Sequence, residues 1–553
     1  MAKRRWHGIF GRWLAAVAPA LLLAPAAAAP PSAPDRPVVA IADGRVGGVA
    51  GDGFALFRGI PYAAPPVGER RWRPPAPPAR WRGVRDATAF GPACVQPPLP
   101  PDALYADNPA RMSEDCLTLN IWAPAGAKDA PVILWIHGGS LRIGSSADAF
   151  YDGAAYARRG IVFVSINYRL GVLGWFAHPA LSAEAADGTS GNYGLRDQIA
   201  ALAWVRRNIA AFGGDAHNVT VMGESAGALS VSYLLVSPAA RGLFDKAILE
   251  SANIRAVPPL ATAAYGLTPA EQTGTALAAG VGAADLPGLR ALDAAALVAA
   301  AAKARFVAQG TIDGRVLPEQ VVDAFDAGRQ ARVPILAGFN GNEIRSQRGL
   351  LPPAPADAAT YVGEIERRYG ALAPAFLRLY PASDIAGSML AAVRDAVYGW
   401  ATERLVSGQA AAGLPAYLYI FDHCYPAAAA RGLCGFHASE LPFVFGQIDP
   451  GGAMPPNWPR PAGAVDRALS DAMIGYWAAF ARTGVPAASG LPVWPAYAAD
   501  QGYMRFADRA VPGYDPQPGM FEVHEELVRR RRAAGQQWFT NVGVAAPLPG
   551  ATP

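Results

Sequence analysis

The sequence predicts an α/β protein with a mostly parallel central sheet covered by helices on both faces. Three observations lead there. Short, nearly continuous apolar runs recur along the chain, which suits strands buried on both sides. Helical periodicities lie between those runs. No convincing linker, repeat or charge run divides the 553 residues. A length that alone suggests roughly three to four domains therefore reads as one large body.

Taken in chain order, the first 29 residues come apart from the rest. They hold Lys3, Arg4, Arg5 and Arg12 and no acid, then an apolar run through Leu21, Leu22 and Leu23, then alanines. This is the pattern of a secretory signal peptide, with small-residue cleavage sites around Ala26 to Ala29. The run falls short of the ~20 apolar residues of a membrane span, and Pro19 and Pro25 interrupt it. The expectation is a secreted or periplasmic protein with no stable membrane anchor once the signal is removed, its mature part running from residue 30 to 553. The chain has 48 basic and 44 acidic residues, a net charge of +4. The four basic residues of the leader account for that excess. A balanced mature chain argues against a nucleic-acid partner, and a hydrophobic fraction of 52% against 17% charged residues excludes a disordered chain.

Residues 61–101 are rich in proline, arginine and tryptophan, and Trp72, Trp81 and Phe90 can pin this stretch to the body as an ordered loop. Buried strands are expected at PVILWIHGG (131–139), GIVFVSINYRLG (160–171), NVTVMG (218–223), KAILES (246–251), VPILAGFN (333–340) and AYLYIF (416–421). They are rich in β-branched residues and bounded by Gly, Pro or Asn. Leu195, Ile199, Leu202 and Ile209 recur at helical spacing, and Gly213-Gly214 ends that helix. Ala- and Leu-rich stretches between 268 and 309 read as cap helices. Arg529 to Arg532 read as the solvated face of a C-terminal helix, partly offset by Glu525 and Glu526.

The sharpest chemical signal is Gly223-Glu224-Ser225-Ala226-Gly227. It follows a predicted strand and opens the apolar helix AGALSVSYLL. A tight strand-turn-helix corner exposes the serine oxygen, and the flanking glycines let the neighbouring backbone pass. A serine hydroxyl is a weak nucleophile until a base takes its proton. In such folds an acid and then a histidine follow the serine in the chain. His423, His437 and His524 are the candidates for the base. Glu343 directly follows a strand, at the same rim as Ser225, with Asp313, Asp395 and Asp422 as rivals. His137-Gly138-Gly139-Ser140 follows another strand. Small residues there let backbone N–H groups converge with that of Ala226 on a developing oxyanion. Activity would then fall as pH drops through roughly 6–7, where an unperturbed histidine protonates.

There are four cysteines, Cys94, Cys116, Cys424 and Cys434. Behind an export signal they favour two disulfides, and the sequence-local pairing is expected. Each would stabilise by roughly 2–4 kcal/mol. His423, Cys424, Cys434 and His437 nominally make a zinc set, but their spacing is not that of a zinc finger.

Several collinear motifs carry a resemblance. They are FRGIPYAAPPVGERRWRPP, FGPACVQ, SEDCLTLNIW, WIHGGS, NYRLGVLGWF, GNYGLRDQIAALAWVRRNIAAFGGDAHNVTVMGESAGA and GFHASELPFVFG. From about residue 40 to about 540 the chain resembles the type-B carboxylesterases, relatives of the cholinesterases within the α/β-hydrolase fold. The resemblance implies a single α/β-hydrolase domain with helical and loop insertions around a gorge. It implies Ser225 as nucleophile, Glu343 as acid and His437 as base, with the N–H groups of Gly139, Ser140 and Ala226 as the oxyanion hole. It matches Cys94 and Cys116 to the family's first disulfide, at the gorge rim. Ser140 and Leu141 depart from the family's small residue and aromatic, and SAN (251–253) replaces its Ser-Gly. The implied activity is that of an exported serine carboxylesterase acting on a small-molecule ester, with no metal or organic cofactor. The alternatives are a non-catalytic adhesion protein on the same fold, or a thioesterase or amidase. Tyr105, Trp175, Phe176 and Trp400 suggest an aromatic substrate pocket.

Overall fold

A computed structural model describes residues 36–283, 285–448 and 454–548. The signal peptide expected at residues 1–29 lies outside the described residues. From Pro37 onward the chain forms one compact unit.

The strands, in chain order, begin with β1 (Val38–Ile41), β2 (Gly44–Gly47), β3 (Val49–Ala50), β4 (Phe54–Pro61), β5 (Val84–Asp86), β6 (Thr118–Pro124) and β7 (Ala130–Ile136). They continue with β8 (Val162–Ile166), β9 (Gly214–Glu224), β10 (Lys246–Glu250), β11 (Ile335–Asn340), β12 (Ala416–Phe421), β13 (Gly502–Phe506) and β14 (Ala510–Tyr514). β1, β2 and β5 make a small separate sheet. The other 11 strands form one sheet in the order β3-β4-β6-β8-β7-β9-β10-β11-β12-β13-β14. From β8 across to β13 every neighbouring pair is parallel. Antiparallel strands close both edges.

All six expected strands are present, with ends shifted by a few residues. Their apolar continuity has the anticipated cause. Successive side chains point to opposite faces, and both faces are covered. Val132, Leu134, Ile136, Val221 and Leu249 enter one core, together with Leu202 and Leu229 from the helices Tyr193–Asn208 and Ala226–Val236. The alternate residues Ile133, Trp135, Met222, Ile248 and Leu336 enter the other, against Met473, Trp477 and Phe480 of the helix Ala464–Thr483. Gly213 ends the 193–212 helical segment in the left-handed region, φ +80°.

The cap stretch holds the helices Ala270–Gly280, Leu286–Ala291 and Ala294–Lys303. Leu277 and Leu297 of these helices share a small core with Trp72 and Phe176. The 61–101 loop is pinned as expected at Trp72, which is buried and donates from Nε1 to the Val172 carbonyl at 2.9 Å. The Arg529–Arg532 run needs correction. Arg529 and Arg530 do face solvent and pair with Glu526. Arg531, however, is buried against Asn541, and Arg532 bridges Asp323 and Asp326. Helical geometry turns each successive residue by about 100°, so a run of four cannot all face water.

Both disulfides form in the sequence-local pairing, Cys94–Cys116 and Cys424–Cys434. No helix of the described residues is long and apolar enough to cross a membrane.

The strand order reverses around β7. The chain passes from β7 to β8 on one side and then crosses to β9 on the other. Crevices at such a switch point, beyond the carboxyl ends of the strands, are where open α/β sheets bind ligands. Here the segments beginning at His137 and Ser225 leave β7 and β9 side by side.

Candidate active site

Ser225 stands between β9 and the helix Ala226–Val236 with φ +55° and ψ −117°. This is a region that residues with a Cβ rarely occupy, costing about 1–3 kcal/mol. The corner is held from both ends. The Ser225 N–H donates to the Glu250 carbonyl at 2.9 Å. A Cβ on Gly227 would lie 2.0 Å from the Ile136 carbonyl oxygen, and one on Gly223 would lie 2.6 Å from the Gly227 carbonyl carbon. Both flanking glycines are therefore required by close backbone approach, the reason inferred from sequence.

The Ser225 hydroxyl lies 2.9 Å from His437 Nε2. His437 Nδ1 lies 2.6 Å from Glu343 Oε2. Glu343 is fully buried, and its other oxygen accepts from the Ser251 hydroxyl at 2.7 Å and from the Asn340 N–H at 2.8 Å. That carboxylate is locked on both oxygens, so it fixes the imidazole's orientation. Glu343 sits one short turn past β11, and His437 lies after β12, three residues beyond the small loop that the Cys424–Cys434 bridge closes.

The rival residues are occupied elsewhere. Asp313 accepts from Asn192 and from the N–H groups of its own turn. Asp422 pairs with Arg505. Asp395 accepts from Tyr380 and Arg394, and His524 meets the same tyrosine. His423 is held between Asp466 and Asp508. The four residues of the nominal zinc set therefore do not converge, since the cysteines bond each other and the two histidines have separate partners.

Gly139 (φ +100°) and Ser140 (φ +57°) turn their backbone sharply after β7. Among the described residues the N–H groups of Gly139, Ser140 and Ala226 donate to no protein acceptor. Ser140 thus adopts a backbone that its glycine neighbour takes without strain. Leu141, the second departure, is fully buried and so does not line the rim.

Three features around the histidine go beyond the sequence reading. Glu224, next to the serine, places Oε1 3.3 Å from His437 Nε2. Tyr398 stacks on the imidazole at 5.2 Å, and Tyr105 donates to the His437 carbonyl at 3.0 Å. Glu440 is buried one turn beyond His437 and receives a hydrogen bond from Asn340. Glu224 sits in plain view inside the serine motif, but nothing local shows that its side chain turns toward a residue 213 positions away.

Electrostatics follow from this packing. Burial pushes the His437 imidazole down, but attraction from Glu224, from hydrogen-bonded Glu343 and from Glu440 outweighs it and holds the group up at about 9. Burial pushes Glu224 up to about 7, with Glu343 adding to the rise and His437 opposing it.

Two cavities meet at Ser225. One, of about 220 Å³, is lined by His437, Glu224, Tyr105, Phe150, Tyr151 and Trp458 among others. The second, of about 350 Å³, is lined by Ala226, Asn253, Arg255, Tyr398 and Phe539 among others. The cavities are aromatic as expected, but of the four residues expected to line them only Tyr105 does. Trp175 and Phe176 are core residues, and Trp400 is buried with its Nε1 donating to Glu525 at 2.7 Å.

A sheet reversing at β7, a serine on the corner after β9 and an acid-to-histidine relay behind it define an α/β-hydrolase. The match to the carboxylesterase family model spans residues 35–369 and 380–519, and the chain belongs to that family. It is 40% identical to a fumonisin B1 esterase of Sphingopyxis macrogoltabida, with 82% of this chain and 83% of that one aligned. It is 37% identical to a para-nitrobenzyl esterase of Bacillus subtilis, over 82% and 91% of the two chains. A solved PNB esterase superposes with a TM-score of 0.76 at 34% identity, covering 88% of this chain and 99% of the other. The protein is a carboxylic ester hydrolase.

Proposed function

We propose that this ester hydrolase works through a covalent acyl-enzyme on Ser225, with His437 as the base and Glu343 as the acid that orients it. The observation that carries the reading is the unbroken line from Ser225 Oγ to His437 (2.9 Å) to Glu343 (2.6 Å), facing three unpaired backbone donors. His437 takes the hydroxyl proton as Ser225 attacks the ester carbonyl. The tetrahedral oxyanion points at the N–H groups of Gly139, Ser140 and Ala226. Each such donor is typically worth about 3–4 kcal/mol of transition-state stabilisation. His437 then hands its proton to the departing alcohol, and the carbon–oxygen bond to that alcohol breaks. Water repeats the cycle, with His437 taking its proton and Ser225 leaving as the hydroxyl. Glu343 stabilises the imidazolium formed in each half. Each addition to the carbonyl and each elimination from the tetrahedral intermediate is thus paired with one proton transfer through His437.

The neutral imidazole is the working form. Three carboxylates stabilise its protonated form, so the neutral fraction appears only at higher pH. The acidic limb of the activity profile therefore lies above the ordinary histidine value of about 6.5, higher than the sequence alone suggests.

Export through a cleaved N-terminal signal is part of the same proposal. Its support is the basic-then-apolar leader together with two disulfides, which persist in oxidising compartments. Reaction with an organophosphate tests the mechanism. Peptide mass mapping should find the adduct on Ser225, and an unlabelled Ser225 in active enzyme would overturn it. Matched ester, thioester and amide substrates place the activity within acyl-transfer chemistry, with the ester expected to turn over fastest.

A further inference from the structure

The second cavity at Ser225 contains a charge that the proposed reaction does not use. Arg255 is the one charged side chain among the residues lining it. It follows β10 in the SAN-Ile-Arg segment, where the chain turns away from the sheet. Its guanidinium lies over the Phe539 ring at 5.3 Å. Its Nε is buried without a hydrogen-bond partner. Among the described residues no carboxylate pairs with it. Several other arginines inside the body pair with carboxylates, Arg169 with Asp197, Arg394 with Asp395 and Arg404 with Glu525, while buried Arg531 is met by Asn541. Arg255 as a whole is half-buried, and buried Asn253 lines the same cavity.

The reaction assigns a role to each cavity. The leaving alcohol takes its proton from His437, so it must lie in the cavity that His437 lines. That cavity also holds the carboxyl groups of Glu224, Asp148 and Asp107. The acyl half then extends from Ser225 into the other cavity, toward Arg255. Beyond the Phe539 ring, Arg255 has the Tyr233 hydroxyl beside it, a neutral group; a guanidinium with no carboxylate partner is best satisfied by a carboxylate, whose two oxygens match its fork of donors.

We propose that Arg255 binds a carboxylate on the acyl half of the substrate, so that hemiesters of dicarboxylic acids are favoured over neutral esters of the same length. The inference rests on the Ser225 acyl-enzyme reading, because that reading decides which cavity takes the acyl group.

The test compares kcat/KM for monoethyl succinate, glutarate and adipate with that for ethyl butyrate, valerate and hexanoate, followed by acid release at constant pH. An ester of similar size carrying its carboxylate on the alcohol half is the control. In the native protein at least one hemiester should exceed the matched neutral ester by about tenfold or more, and the control should show no such gain. Arg255→Gln should lower the hemiester-to-neutral ratio by about tenfold, and Arg255→Lys should keep part of it. A native protein with no hemiester preference overturns the proposal, even where the Gln variant fails to fold. So does a ratio that survives in Arg255→Gln. An equal preference for the alcohol-side control also overturns it. Organophosphate labelling of Ser225, run on the same preparations, separates the two readings. A labelled serine with no hemiester preference rejects Arg255 alone, and an unlabelled serine rejects the acyl-enzyme reading beneath it.

Discussion

His437 and His524 are both buried, and each packs against a tyrosine, yet their surroundings push them in opposite directions. His437 is 6% exposed and stacks on Tyr398. His524 is 3% exposed and shares a 2.8 Å hydrogen bond with the Tyr380 hydroxyl. Burial lowers both. Around His437 the charges are Glu224, Glu343 and Glu440, and the imidazole is held up at about 9. Around His524, Asp395 pulls upward but Arg531 and Arg394 oppose it, and the group drops to about 4. Burial therefore does not make a histidine a base. A base needs an acceptor line to its substrate and carboxylates that stabilise the proton once it has been taken.

The strongest way to break this contrast is to remove what only His437 has. Ser225→Ala or His437→Gln should reduce kcat by about 10⁵- to 10⁶-fold, with thermal unfolding little changed. Residual activity above a few per cent of the native rate would refute the roles assigned to them. Glu343→Gln comes next. It leaves the Ser251 and Asn340 contacts an acceptor but removes the charge that fixes and stabilises the imidazolium, so kcat should fall by about 10⁴-fold. A loss under tenfold in single-turnover assays would show that Glu343 only packs. Glu224→Gln sharpens the contrast more gently. With one of the three carboxylates neutralised, the His437 proton is held less tightly, so the acidic limb of kcat/KM should move to lower pH. An unmoved limb would mean that Glu224 does not act through the histidine. The smallest effect belongs to His524→Gln. It should leave kcat within about twofold and cost roughly 1 kcal/mol of stability, one buried hydrogen bond, read from chemical denaturation.

Sequence reasoning went furthest where function is local. The Ser225 corner shows in five residues, because a strand, a turn and two glycines must be contiguous to make it. Glu343 stood out because it follows β11 directly. His437 could be drawn from three histidines only through the family resemblance, since the contact joining it to Ser225 spans three crossovers of the sheet, from β9 to β12. Glu224 and Arg255 escaped for the same reason: side-chain direction at a strand end depends on what packs above it. Among strands, the buried centre was legible because both faces are apolar. β1 to β5 and the β13–β14 edge are not legible as strands. β1 (VVAI) and β5 (VRD) are partly or wholly exposed, and β14 (AVPGY) carries Pro and Gly, permitted there by an edge. β6 lies inside a quoted motif, SEDCLTLNIW, whose polar residues, Thr118 and Asn120 among them, hide a strand that is almost wholly buried.

The meeting of two separate cavities at one serine oxygen has a stereochemical consequence. A carbonyl whose oxygen faces the amides of Gly139, Ser140 and Ala226, with alcohol toward His437 and acyl chain toward Arg255, offers Ser225 only one of its two faces. The tetrahedral carbon then forms with a single handedness. Racemic esters with a stereocentre beside the carbonyl would then present their substituents to differently lined walls. Under the proposed roles such a site should resolve mirror images, and the enantiomeric ratio would measure how unlike those two walls are.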